Sequence, residues 1–270
     1  MSRPFRLVPS FREKIWGVAN LEPWFRRPER KTGEVWFLHP DGDPLPVLVK
    51  FIFTSERLSV QVHPPDEYAR RHDGMPGKTE MWYILRAEPG ARLAMGPVRP
   101  MSRRQLRETS LTGEIERLVR WFPASPGQVW FIPPGTIHAL GPGITLCEIQ
   151  QNSDNTYRLY DYGRPRELHV DKAVDVACLE PHPGPSTPQG NLLAACDYFL
   201  TERLELSSPI ECRPGPEPFQ LLTILEGRGL LGPETFAQGE VWMVPRDCRS
   251  FDLSPEGAAL LLRTWLPAKS

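Results

Sequence analysis

Apolar runs in this chain are short, and most are closed off by proline or glycine. Val129 to Ile132 (VWFI) lies between Pro126-Gly127 and Pro133-Pro134-Gly135, the pattern of a buried strand between turns. Val47 to Thr54 (VLVKFIFT), Glu80 to Leu85 (EMWYIL) and Ile144 to Ile149 (ITLCEI) read the same way, each built of β-branched, aromatic or other apolar residues around one charge. Leu58 to His63 alternates strictly, which places Ser59, Gln61 and His63 on one face and Leu58, Val60 and Val62 on the other. By the same period Glu148 shares a face with Leu146 and Ile144, and Lys78 shares one with Glu80 if that strand has begun by residue 78. Pro133-Pro134-Gly135 can continue neither a helix nor a central strand, so the chain turns there and presents His138 at the start of the next strand.

Two segments depart from this rhythm. Asp66 to Arg71 suits one helical turn, and within 100–121 the residues Gln105, Leu106, Ile115, Leu118 and Val119 fall at helical spacing around Gly113, a short helical insertion between strands. Residues 179–190 (LEPHPGPSTPQG) read as a Pro-rich linker, since prolines remove backbone donors and small polar residues leave little to bury. Beyond it the pattern recurs. Gly127-x-Val129-Trp130-x-Ile132-Pro133 is echoed by Gly239-x-Val241-Trp242-x-Val244-Pro245, and Tyr83-Ile84-Leu85 by Thr223-Ile224-Leu225. Counted from those anchors, Ser250 stands where His138 does and Gln220 where Glu80 does. The expectation is a first lobe over 1–178 that carries the chemistry, the linker, and a degenerate second lobe over 191–270.

Composition sharpens this reading. The 31 prolines among 270 residues suit short strands and tight turns rather than long helices. Five cysteines, scattered and odd in number with no C-x-x-C pair, point to a reduced, cytoplasmic setting rather than a disulfide framework. The basic amino terminus has no continuous apolar stretch, and no later segment offers about 20 uninterrupted apolar residues, so neither a secretory signal nor a membrane span is expected. A formal net charge of -1, with acids and bases interspersed, gives no electrostatic case for nucleic acid or an anionic membrane.

Four side chains stand out as polar exceptions in apolar strands: Gln61, His63, Glu80 and His138. Imidazole nitrogen with carboxylate oxygen suits zinc, manganese or ferrous iron, and the lack of paired cysteines argues against a structural zinc site. Any one strand histidine is more often a hydrogen-bonded core residue than a ligand. It is the set that points to a metal. Arg158 has a bland reading too, as a surface partner of Asp161, and Trp82, Trp130 and Trp242 read as core.

SVQVHP, GKTEMWYIL, PPGTIHALG and EIQQNSDNTYRLYDYGR together resemble the type I mannose-6-phosphate isomerases, metal-dependent cupins, over most of residues 5–175. The resemblance implies an all-β fold of two cupin-like β-barrel or jelly-roll lobes, and one zinc held by Gln61, His63, Glu80 and His138. It implies Arg158, Lys78 and Glu148 as catalytic residues, with Ser59, Asp154 and Arg164 binding the sugar phosphate. The activity it implies is interconversion of mannose 6-phosphate and fructose 6-phosphate through a metal-stabilised enediolate, with Glu148, Lys78 and a zinc-bound water all open as the base. The alternative is a non-catalytic sugar-binding or regulatory cupin with a structural metal. Such a module would have little need for an arginine and a buried carboxylate facing the metal together.

Overall fold

The computed structural model describes residues 2–26 and 28–268. In order the chain forms β1 (Phe5–Arg6), β2 (Val8–Arg12), β3 (Glu34–Leu38), β4 (Val47–Phe53), β5 (Val60–Val62), α1 (Asp66–Asp73), β6 (Glu80–Ala87) and β7 (Arg92–Pro97). It continues through α2 (Arg103–Thr112), α3 (Ile115–Leu118), β8 (Val119–Pro123), β9 (Val129–Ile132), β10 (His138–Leu140), β11 (Ile144–Gln151), β12 (Tyr157–Tyr160) and α4 (Val170–Val176). The last third is all strand: β13 (Leu192–Ala195), β14 (Leu200–Leu206), β15 (Ile210–Cys212), β16 (Phe219–Glu226), β17 (Arg228–Leu231), β18 (Glu234–Ala237), β19 (Val241–Pro245), β20 (Phe251–Pro255) and β21 (Ala259–Trp265). No helix among the described residues is long and apolar enough to cross a membrane.

The strands make two antiparallel sandwiches. In the first, a sheet ordered β2-β3-β4-β11-β6-β9 faces one ordered β12-β5-β10-β7-β8, and Ile52, Trp82, Ile84 and Leu146 of the former pack with Leu93, Met95 and Leu140 of the latter. In the second, β1-β19-β16-β21-β14-β13 faces β15-β20-β17-β18 around Leu222, Ile224, Trp242, Leu231, Phe236 and Leu253. Period-two alternation explains how the large sheets serve two cores. Lys50, Trp82 and Glu148 turn inward, while Phe51, Phe53, Met81 and Ile149 turn outward onto Phe199, Leu221 and Val241 of the second sandwich. The helices lie on the outer face of the five-stranded sheet, where Leu106 and Ala173 meet Val60, Val62 and Leu159.

Three features differ from the periodicity-based expectation. β1 pairs with β19, Phe5 opposite Met243 and Arg6 opposite Trp242, so the amino terminus adds a strand to the second sandwich although it falls within the 1–178 span expected for the first lobe. The segment 179–190 is tied down along the edge strand β9: Ser186 N donates to the Val129 carbonyl at 2.8 Å, and Phe131 N donates to Ser186 Oγ at 3.1 Å. Polar small residues here satisfy an exposed strand edge. Val119 and Trp121, inside the expected helical insertion, belong to β8, because Val119 pairs with Pro97 and Trp121 with Ala94 of β7.

Candidate metal centre and active site

Three strands place the ligand candidates. Gln61 of β5 lies opposite His138 of β10 and also opposite Arg158 of β12, so the three form one row across the five-stranded sheet. On the facing sheet a second row runs Trp36, Lys50, Glu148, Trp82, Trp130, and Glu80 lies one inward position along β6. The turn that delivers His138 is pinned to the strand end carrying His63. Gly135 N donates to the His63 carbonyl at 2.8 Å, and at φ +85° a Cβ on Gly135 would stand 2.7 Å from the Val176 carbonyl oxygen, so only glycine fits.

His63, Glu80 and His138 are all buried, and their ligand atoms lie within 4.8 Å of one another. His63 Nε2 is 3.5 Å from Glu80 Oε2, and His138 Nε2 is 3.5 Å from Glu80 Oε1. Each imidazole has its Nδ1 2.9 Å from a backbone carbonyl, of Asn155 for His63 and of Thr136 for His138. A carbonyl can only accept, so each Nδ1 carries the proton and each Nε2 presents a lone pair. Burial holds both imidazoles below their ordinary pKa, His138 at about 3, which keeps them neutral and fit to ligate. Burial alone would raise Glu80, but Lys78 at 2.8 Å and His63 bring it well below the carboxylate range, and it is ionised. His63 Nε2 and Glu80 Oε1 are buried without a hydrogen-bond partner among the described residues, while Glu80 Oε2 meets the Lys78 ammonium. Buried lone pairs left unmatched are costly unless something positive sits among them.

Gln61 completes the set. Its amide nitrogen donates to His138 Nε2 at 3.1 Å and its oxygen accepts from Ser59 Oγ at 3.0 Å. A half-turn of the amide would bring the oxygen to the histidine side, with the nitrogen then donating to the Ser59 hydroxyl, which accepts as readily as it donates. The donor set therefore fits a divalent cation of the zinc type. Ser59 sits behind Gln61, buried, in a supporting position.

One cavity joins this cluster to the catalytic candidates: Gln61, His138, Lys78, Glu148, Asp154 and Arg158 all line it. Glu148 Oε2 accepts from the Trp82 indole at 2.8 Å, whereas Oε1 has no hydrogen-bond partner among the described residues and lies 3.4 Å from Lys50 Nζ and 3.7 Å from Lys78 Nζ. Burial and the neighbouring Glu80 push the Glu148 carboxyl up. Burial would lower Lys78, but Glu148 and Glu80 together raise it, so it is a fixed cation. Arg158 is not paired with Asp161. That carboxylate is gripped by Arg166 through two bonds of 2.6 Å and by Arg164 at 3.2 Å, and Arg158 Nε is left without a partner among the described residues.

Arg164 does not line the cavity. It spends its guanidinium on Asp161 and on the Arg57 carbonyl, at 2.5 Å. Arg166, which sequence reasoning passed over, takes a place on the cavity wall, as do Lys14, Lys50, Glu34, Trp16 and Thr156. Arg166 and Lys14 flank Trp16, at 5.0 and 5.5 Å from its ring. The lone lysine in VLVKFIFT was the available signal for Lys50; a charge kept inside an otherwise apolar strand asks for a partner.

No family model matches the chain. Individual relatives do. It is 31% identical to mannose-6-phosphate isomerase of Streptococcus mutans over 93% of this chain and 95% of that one, and 32% identical to mannose-6-phosphate isomerase ManA of Bacillus subtilis over 93% and 96%. The chain belongs to the mannose-6-phosphate isomerase family. The crystal structure of the Bacillus subtilis mannose 6-phosphate isomerase superposes with a TM-score of 0.85 at 30% identity, covering 97% of this chain and 99% of that one. Similarity across both lobes fits the cupin-like architecture described above, degenerate second sandwich included.

Proposed function

We propose that this chain interconverts mannose 6-phosphate and fructose 6-phosphate, with one zinc ion held by Gln61, His63, Glu80 and His138. The observation that carries the reading is a buried cluster of His63, Glu80 and His138, with His63 Nε2 and Glu80 Oε1 lacking a hydrogen-bond partner among the described residues, beside a cavity that His138, Arg158, Lys78 and Glu148 line. When bound, a divalent cation there supplies a Lewis acid for substrate oxygen.

The remaining chemistry belongs to side chains. Isomerisation moves a proton from C2 of the aldose to C1, and a hydroxyl proton from O2 to O1, through an enediolate. Glu148 is suited to carry the carbon-bound proton: Trp82 fixes Oε2, Oε1 has no hydrogen-bond partner among the described residues, and its raised pKa brings it nearer the working range of a base at neutral pH. Lys78, locked as a cation, is the less suitable base and instead serves as a donor to substrate oxygen. The Arg158 guanidinium on the same wall, its Nε without a partner among the described residues, offers donors to the negative oxygen of the enediolate, where they gain strength as charge develops. Lys14 and Arg166 beside Trp16 suit the phosphate, with Asp154 and Thr156 available to sugar hydroxyls. An arginine and a buried carboxylate on one cavity weigh against a non-catalytic binding module. Five cysteines, all free, fit a reducing cytoplasm.

A coupled assay on purified protein, run before and after chelation and accompanied by elemental analysis, tests the reading. One divalent metal per chain, with turnover lost to chelator and restored by zinc, is the expected result. Absence of stoichiometric metal together with turnover indifferent to chelator would overturn it.

A further inference from the structure

Asp73 closes α1 against the usual preference of a helix. The first turn carries Asp66 and Glu67 and the last carries Arg70, Arg71 and His72, as the helix dipole favours. Asp73 then places a carboxylate at the negative end. Local rules broken in this way mark positions held for another purpose. Three donors converge on that carboxylate from three other parts of the chain: the Tyr157 hydroxyl of β12, the Lys172 ammonium of α4, and Asn155 Nδ2 at 2.8 Å from the loop before β12. They hold the group well below the ordinary carboxylate range against the cost of its partial burial. Asn155 is buried, and its carbonyl is the acceptor 2.9 Å from His63 Nδ1.

We propose that Asp73 is a positioning residue for the metal ligand His63, acting through Asn155. Asp73 holds the Asn155 side chain, the side chain fixes the orientation of its own peptide unit, and that carbonyl fixes the tautomer and ring plane of His63. Outer partners of this kind tune affinity by about 10- to 100-fold when removed. The proposal rests on the metal-dependent reading above.

The test measures metal dissociation constants by chelator competition, with zinc and with cobalt, on the full chain and its variants, together with thermal midpoints. Asp73→Ala is expected to weaken metal binding by about 10- to 100-fold, and kcat at saturating metal should return to within severalfold of wild type. Asn155→Ala, which keeps the carbonyl but loses its anchor, should do the same, and the double variant should be no worse than either alone. Lys172→Ala removes an ion pair from the same carboxylate without touching Asn155; it should lower the thermal midpoint while affinity stays within twofold. If Asp73→Ala folds poorly, Asn155→Ala alone decides. Unchanged affinity in a folded Asp73→Ala or Asn155→Ala, or an equal loss in Lys172→Ala, would overturn the proposal alone. A wild-type chain that takes up no metal would overturn both the proposal and the reading beneath it.

Discussion

The two sandwiches are built on one register and differ in what they do with it. In the first, Glu80, Met81, Trp82 and Tyr83 of β6 lie opposite Ile132, Phe131, Trp130 and Val129 of β9; in the second, Gln220, Leu221, Leu222 and Thr223 of β16 lie opposite Val244, Met243, Trp242 and Val241 of β19. Even the edges match. The Val129 carbonyl accepts from Ser186 N and the Val241 carbonyl from Leu7 N, both at 2.8 Å, so each sandwich has its open edge covered by a segment from elsewhere in the chain. Where the first has the cross-strand pair Lys50–Glu148 opposite Trp82, the second has Glu202–Arg263 opposite Leu222, with the charges reversed. The register thus tolerates an inward ion pair of either polarity. Chemistry requires the exceptions: Glu80 rather than Gln220, an indole donor rather than Leu222, and β12 with its arginine, a strand for which the four-stranded sheet β15-β20-β17-β18 has no counterpart.

The most direct way to break the comparison is to give the first sandwich the residue of the second. Glu80→Gln removes the only ionised ligand candidate of the cluster and should abolish stoichiometric metal and lower kcat/KM by well over about 100-fold. The fold should persist, because Glu80 contributes no apolar surface to the core that Trp82, Ile84 and Leu146 build. Elemental analysis and circular dichroism check both halves of that statement. Next in size is Arg158→Ala, on the strand the second sandwich lacks. Its kcat should fall by about 10²–10³, with Arg158→Lys recovering only part because the planar fork is gone. A rise in KM alone would instead make Arg158 a phosphate anchor.

How much of this was legible in the sequence follows from what local patterns can encode. Strand alternation put Gln61 with His63 and Glu148 on an inward face, and proline-bounded turns put His138 at a strand start, because those are relations between residues a few positions apart. The pairing of Arg6 with Trp242 is not such a relation, and nothing in Phe5-Arg6-Leu7 names a partner 236 positions away. α4 went unseen because its N-cap, His169, makes no side-chain capping bond, so its start carries no signal. Arg166 and Arg164 sit two residues apart in one loop, and only folding decides that Asp161 and Trp16 draw Arg166 onto the cavity wall. Trp82 was legible as core and is core, but its indole proton, spent on Glu148, has no trace in a hydrophobic pattern.

That indole proton gives a smaller and sharper test. Trp82→Phe keeps the ring and loses the donor, whereas Trp82→Leu copies the second sandwich. A hydrogen bond to a carboxylate favours its charged form, so removing it raises the pKa of Glu148. If Glu148 acts as the base, it must be ionised, and the acid limb of the kcat profile should move to higher pH in Trp82→Phe. The drop in kcat at the plateau should be about 10-fold or less. A limb that does not move would place the titrating base elsewhere.

The smallest expected effect lies in the second sandwich and bears on why its ion pair survives. Arg263 Nη2 and Glu202 Oε1 are 2.5 Å apart with side chains 32% and 19% exposed, so solvent screens the pair and its net worth is about 0–1 kcal/mol. Reversing it, Glu202→Arg with Arg263→Glu, keeps the cross-strand neighbours and the attraction. Metal content, kcat and KM should stay within twofold of wild type, and the thermal midpoint should move by only a few degrees. The same reversal in the first sandwich, Lys50→Glu with Glu148→Lys, should abolish turnover, because the Trp82 indole would then donate toward an ammonium and Lys78 would lose a carboxylate neighbour. If both reversals were silent, the polarity of the first pair would be an accident of ancestry like that of the second, and Glu148 would have no part in the proton transfer.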